Sequence, residues 1–154
     1  MTKFLTAIES GIQASLSKEN NIKEILEMVE QVKHEVESFS KGKVTLELTY
    51  PLTANLALMK IFGVSQNLEK SSETGKPTDR VLTAILTNNS SISEKLTIIE
   101  FGTQGYPCTI TVDGNQLTAA DNVGLEKMFV KLLGSPITGN KLRKLVGLYT
   151  SNEN

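Results

Sequence analysis

Between Ser17 and Ser40 the chain carries no glycine and no proline, and apolar residues fall three and four apart at Ile22, Ile25, Val29, Val32, Val36 and Phe39. That spacing predicts a helix with a narrow apolar seam about two and a half heptads long. The remaining positions are acidic: Glu19, Glu24, Glu27, Glu30, Glu35 and Glu37 are opposed only by Lys23 and Lys33. Upstream, Phe4, Leu5, Ile8, Ile12 and Leu16 form a second, weaker apolar stripe. The phase of the pattern shifts near residues 16–22, where Asn20 and Asn21 are good helix-capping types. We therefore expect helix over residues 3–40, as one helix or as a helical hairpin, with the phase shift favouring a break near 16–22.

After Gly42 the period changes. Val44, Leu46, Leu48 and Tyr50 alternate with Thr45, Glu47 and Thr49, the mark of a half-buried strand that Pro51 ends. Residues 56–64 are apolar on both faces and read as a further strand. Residues 65–79 are polar, contain Gly75 and Pro77, and read as a long mobile hairpin loop. Strands follow at 81–87 and 96–101, joined by a turn over 88–93, with another turn over 102–107. Cys108, Ile110 and Val112 alternate with Thr109 and Thr111, and Asp113-Gly114 is a strong type I′ hairpin signal. A short return strand through Leu117 follows. Asp121 or Asn122 caps a helix to about Leu133, which Gly134 and Pro136 stop, and a last short helix spans 141–149.

Helices, then sequential strands, then helices point to an α+β fold built on an antiparallel sheet of five or six strands. The 154 residues fit a single domain: helical over 1–41, strands over 43–119, helical over 121–149. At 39% hydrophobic and 21% charged residues, a wholly disordered chain is excluded. The strands around 82–86 and 96–101 are apolar on both faces, so the sheet face away from the helices should also be covered, by a further element or a second chain.

The same inventory removes many chemistries. One cysteine excludes an internal disulfide and a thiolate metal cluster, and one histidine excludes a multi-histidine metal site. No metal or cofactor is expected. Residues 134–141 (Gly134 to Gly139, Asn140, Lys141) miss the phosphate loop, because Asn140 separates glycine from lysine and Leu142 replaces the hydroxyl. Asp113, Asn115 and Asp121 lack the glycine and terminal glutamate of a calcium loop. Cys108 is in phase with Ile110 and Val112 and reads as an inert core thiol. His34 falls on the outer face of the helix, away from any partner a general base would need. Glu100 shares a strand face with Leu96 and Ile98, which marks it as an edge feature or an acid in an apolar pocket, where Tyr106 and Asp113 could join it.

Net charge is −1, with no tryptophan and no aromatic residue interleaved with the basic trio Lys141, Arg143 and Lys144, so nucleic acid is not an expected partner. No stretch reaches the roughly 18 apolar residues of a membrane span, and the opening residues break their apolar run at Thr6 and Glu9, unlike an export signal. A lone cysteine fits the reducing cytoplasm.

What remains is contact with another protein. The leading expectation is a non-enzymatic cytoplasmic binding module, such as a small inhibitor, immunity protein or chaperone-like adaptor. It would meet a basic partner through Glu24, Glu27, Glu30, Glu35 and Glu37. One alternative is a self-assembling accessory protein, a homodimer paired through the seam 22–39. The other is an enzyme whose carboxylate site leaves no spacing signature.

Overall fold

The computed structural model describes residues 2–50 and 79–152. The strand expected at 56–64 and all but the last residue of the loop expected at 65–79 lie outside the described residues. Helix α1 (Lys3–Phe39) is followed by five strands, β1 (Val44–Thr49), β2 (Arg80–Leu86), β3 (Asn89–Gly102), β4 (Gly105–Val112) and β5 (Asn115–Ala119), then α2 (Asn122–Leu133) and α3 (Pro136–Asn152). The strands form one antiparallel sheet in the order β1-β2-β3-β4-β5. The α+β class and the helix–sheet–helix order are those read from the sequence.

Of the two forms expected for the first segment, the single helix is the one present, and the favoured break near 16–22 is absent. α1 is one rod of 37 residues, about 55 Å long at 1.5 Å per residue. Asn21 does not cap a second helix; its Nδ2 donates to the Gln104 carbonyl at 2.8 Å. Nothing between Gly11 and Ser40 breaks the backbone, so the phase shift records a change in what the helix faces rather than a change of direction. Thr2 caps the start, its hydroxyl accepting from the Leu5 N–H at 3.1 Å. The end is a Schellman turn: Gly42 N–H donates to Glu37 O at 2.8 Å and Lys41 N–H to Ser38 O at 3.2 Å. Lys41 holds φ +57° there, a left-handed conformation unusual for a residue with a Cβ.

Ile25, Val29, Val32 and Val36 are the buried face of α1. They join Val44 and Leu46 of β1, the inward residues Leu82, Ala84 and Leu86 of β2, Cys108, Ile110 and Val112 of β4, and Leu125, Phe129 and Leu132 of α2 in one core. Four of the six seam positions are therefore packed inside the molecule, while Phe39 at the end of the seam is 72% exposed. On the opposite face of β2, Val81 and Ile85 are half-buried, with Val81 in register with Ile98 of β3.

Three boundaries differ from expectation. The β2–β3 turn is only Thr87-Asn88, and β3 starts at Asn89 with three exposed polar residues. β3 also carries a bulge: Thr83 pairs with Lys95 but Leu82 with Thr97, so Leu96 is the extra residue, and Leu96 and Thr97 are both buried. This removes Leu96 from the face it was expected to share with Glu100. The buried Thr97 hydroxyl is used in the ladder, donating to Thr111 O at 2.9 Å and accepting from Thr111 N–H at 3.0 Å. The turn expected at 102–107 narrows to Thr103-Gln104, with Tyr106 and Pro107 already in β4. Asp113 (φ +53°) and Gly114 (φ +82°) form the expected type I′ turn.

At the carboxyl end Asp121 caps α2, accepting from Gly124 N–H at 2.9 Å. Pro136 ends nothing further: it is the first residue of α3, where its missing N–H is harmless. Ser135 caps this helix, accepting from Ile137 N–H at 3.1 Å while donating to the Asp113 carboxylate. α3 thus begins five residues earlier than 141 and covers 17 residues.

Candidate functional site

The five glutamates expected to meet a partner do not form one surface. With about 100° of rotation per residue, Glu30 and Glu37 lie on one side of α1 and Glu24 and Glu35 on roughly the opposite side, with Glu27 between. Two are already engaged. Glu24 accepts from the Tyr106 hydroxyl at 3.0 Å, and Glu37 accepts from the Thr45 hydroxyl. Glu27 and Glu30, with Glu19, line a groove of about 880 Å³ between α1 and β1 that also includes Ile22, Leu26 and Leu48. Glu35 lines a smaller groove of about 500 Å³ formed with Phe39, Leu133, Leu142 and Arg143.

The groups weighed for catalysis are dispersed as well. His34 is 72% exposed on its side chain, with Nε2 3.8 Å from Glu30 and Nδ1 3.7 Å from Glu37. Cys108 is fully buried. Burial, and then the charge of Glu100, push its thiol up to about 12, so it stays protonated and unreactive at neutral pH. Tyr106 is pushed up to about 12 by burial and by its hydrogen bond to Glu24. Glu100 is half-buried opposite Thr109. Tyr106 and Asp113 sit near opposite ends of β4, about 23 Å apart at 3.3 Å per residue, and Asp113 is bonded to Ser135. The triad of Glu100, Tyr106 and Asp113 does not assemble. Among the described residues no three acidic, histidine or cysteine side chains converge to hold a metal ion, and no helix is long and apolar enough to cross a membrane.

Two of the basic trio on α3 reach the sheet, while Arg143 borders the groove beside Glu35 of α1. Lys144 pairs with Glu94 of β3 at 2.9 Å, Lys141 donates to the Lys95 carbonyl at 2.6 Å, and Arg143 donates to Asn140 at 2.9 Å. The charge asymmetry of the sequence is thus resolved partly within the fold, along β3.

The feature the sequence showed only faintly dominates the surface. Every residue from 2 to 20 is exposed. The first 18 residues of α1 therefore stand clear of the body as an arm about 27 Å long. The helix meets the body at Gly105, where an added Cβ would come within 2.8 Å of the Asn21 Cβ. Phe4, Ile8, Ile12 and Leu16, with Leu5 beside them, lie along this arm at 80%, 58%, 54%, 49% and 44% exposure respectively. Their row is rotated about 110° from the buried face of Ile25, Val29, Val32 and Val36. It continues in line with Ile22 and the exposed Leu26 into the groove beside β1. The phase shift near residues 16–22 was the sequence signal for this change of face.

No protein-family model, no curated protein and no solved structure matches this chain.

Proposed function

We propose that the chain is a non-enzymatic protein-binding module whose contact surface is the amino-terminal half of α1. The observation that carries this reading is the row Phe4, Leu5, Ile8, Ile12 and Leu16 on a helical stretch whose every residue is exposed. Scattered exposed apolar residues need no explanation, but a contiguous row of five on one helical face marks an interaction site. An isolated helical stretch of this length is marginal in water. The arm contains Gly11 and several serines and threonines, all weak helix formers. A partner that covers the row supplies the packing that holds the arm helical.

Helix-in-groove recognition is the mode such a row serves, with anchors repeating on one face. Glu19, Glu27 and Glu30 lie further along the same side and would favour a partner with basic residues next to its apolar groove. Glu24, Glu35 and Glu37 contribute less, since Glu24 and Glu37 already hold Tyr106 and Thr45. Inhibitors, immunity proteins and adaptors work by contact of this kind. The lone, buried cysteine suits a reducing compartment, and we place the protein in the cytoplasm.

The test compares proteins retained by the wild-type chain and by the double variant Ile8→Asp/Ile12→Asp in extracts of the native host. Both positions lie outside the core, so the variant should keep its fold. Loss of a specific retained protein, the chain itself included, supports the reading. Identical retained sets would refute it.

A further inference from the structure

We propose that the arm pairs with the arm of a second copy of this chain, antiparallel, about a two-fold axis at the level of Ser10. This rests on the reading of the arm as a contact surface and names its occupant. Phe4, Ile8, Ile12 and Leu16 recur every four residues, so the row is symmetric about position 10. An antiparallel copy sets Phe4 against Leu16 and Ile8 against Ile12, twice over, as a self-complementary two-fold contact requires.

The period also fixes the geometry. A row at i, i+4, i+8 and i+12 is a ridge inclined to the helix axis, and two such ridges interlock at a crossing near −50°. The long low-angle seam of a coiled coil needs a 3.5-residue repeat instead, and the arm lacks it. The overlap from residue 4 to 16 is about 20 Å, within an arm of about 27 Å. The two bodies, which begin at Asn21 and Gln104, stay apart at opposite ends of the contact. A parallel pair would crowd both bodies at one end.

Charge agrees. Between Lys3 and Lys18 the only charged residue is Glu9, whereas residues 19–37 carry six glutamates. Two arms can approach with little repulsion, and the rest of the helix cannot. The arm also lacks the lysine- and arginine-rich face with which helices lie on anionic membranes. Area sets the strength. Five side chains with roughly 60–100 Å² each to lose fall short of the ~800 Å² per partner of a standard interface. The dimer is therefore concentration-dependent rather than obligate.

The test uses the full chain carrying Phe4→Cys, Leu16→Cys or, on the back of the arm, Gln13→Cys. Cys108 is fully buried and stays silent. Disulfides form only where Cα atoms approach within about 7 Å. Mixing the Phe4→Cys and Leu16→Cys proteins under mild oxidation should give the mixed disulfide roughly tenfold faster than either protein alone or Gln13→Cys. Equal yields of 4–4, 16–16 and mixed products would overturn the antiparallel pair. So would a solution mass that stays monomeric over a hundredfold rise in concentration, or arm-dependent binding to phosphatidylcholine vesicles by a monomer. If the mass stays monomeric while Ile8→Asp/Ile12→Asp loses a retained host protein, the second copy is wrong and the arm remains the contact surface. If that variant changes neither, both readings fall.

Discussion

The two halves of α1 predict opposite responses to the same substitution. Ile25 is fully buried and Ile12 is 54% exposed, thirteen residues away on one rod. Truncating a buried isoleucine to alanine removes apolar contact and leaves a cavity, at about 2–5 kcal/mol. Ile25 is fully buried in a single core built from both the sheet and the helices, so Ile25→Ala should cost about 3–4 kcal/mol. That is a large fraction of the ~5–15 kcal/mol available to a domain, and lowers Tm by about 10 °C at this chain length. Ile12→Ala in dilute protein should change stability by no more than about 0.5 kcal/mol, with alanine's better helix propensity offsetting the small lost contact. Urea unfolding followed by circular dichroism, at the lowest workable concentration, measures both. A cost above about 1.5 kcal/mol for Ile12→Ala would mean the stripe is buried in the monomer, as in a helical hairpin, and would refute the arm. A cost below about 1 kcal/mol for Ile25→Ala would mean α1 is not clamped to the sheet.

Three further outcomes follow from single interactions. Lys41 occupies the left-handed position of the Schellman turn; Lys41→Gly should stabilise by about 0.5–1 kcal/mol, since relief of the Cβ strain exceeds glycine's entropic cost, and chemical denaturation checks it. Thr97→Val keeps the shape but leaves Thr111 N–H and C=O without their hydroxyl partner, so it should cost about 1–3 kcal/mol, read in the same assay. Cys108 and Tyr106 both have folded pKa values near 12, raised above about 9 for the free thiol and 10 for the free phenol; raised values stabilise the fold fully below the unfolded pKa and lose that contribution as pH climbs to 12. Stability should therefore fall between about pH 9 and 12, and the native thiol should react with a disulfide reagent at pH 8 only on unfolding.

Local signals were legible in the sequence. Asp113-Gly114 reads as a type I′ turn because its two positive φ angles are a property of those two residues. The alternation of β1 and β4 and the capping by Asp121 are equally short-range. What failed depended on distant partners. The phase shift near residue 20 resembles a break, yet it arises because α1 meets Gly105 and the sheet only from Asn21 onward. Polar Asn89, Ser90 and Ser91 resemble a turn, but their pairing is set by a two-residue turn at Thr87-Asn88. The bulge at Leu96 moved the face of β3 without any glycine to announce it. Glu24 is held by Tyr106 from 82 residues away, so no helix pattern could say that part of the acidic surface was engaged. The stripe on the arm was visible as residues; only the fold shows that it stays exposed among the described residues.

The most direct measurement is residue-resolved amide hydrogen exchange along α1 at low and high protein concentration. The account predicts fast exchange over residues 5–20 and strong protection over 25–36 in dilute protein, with protection of the arm rising on concentration while 25–36 stays constant. Protection of residues 5–20 equal to that of 25–36 in the dilute monomer would contradict it, because the stripe would then be packed within the chain itself.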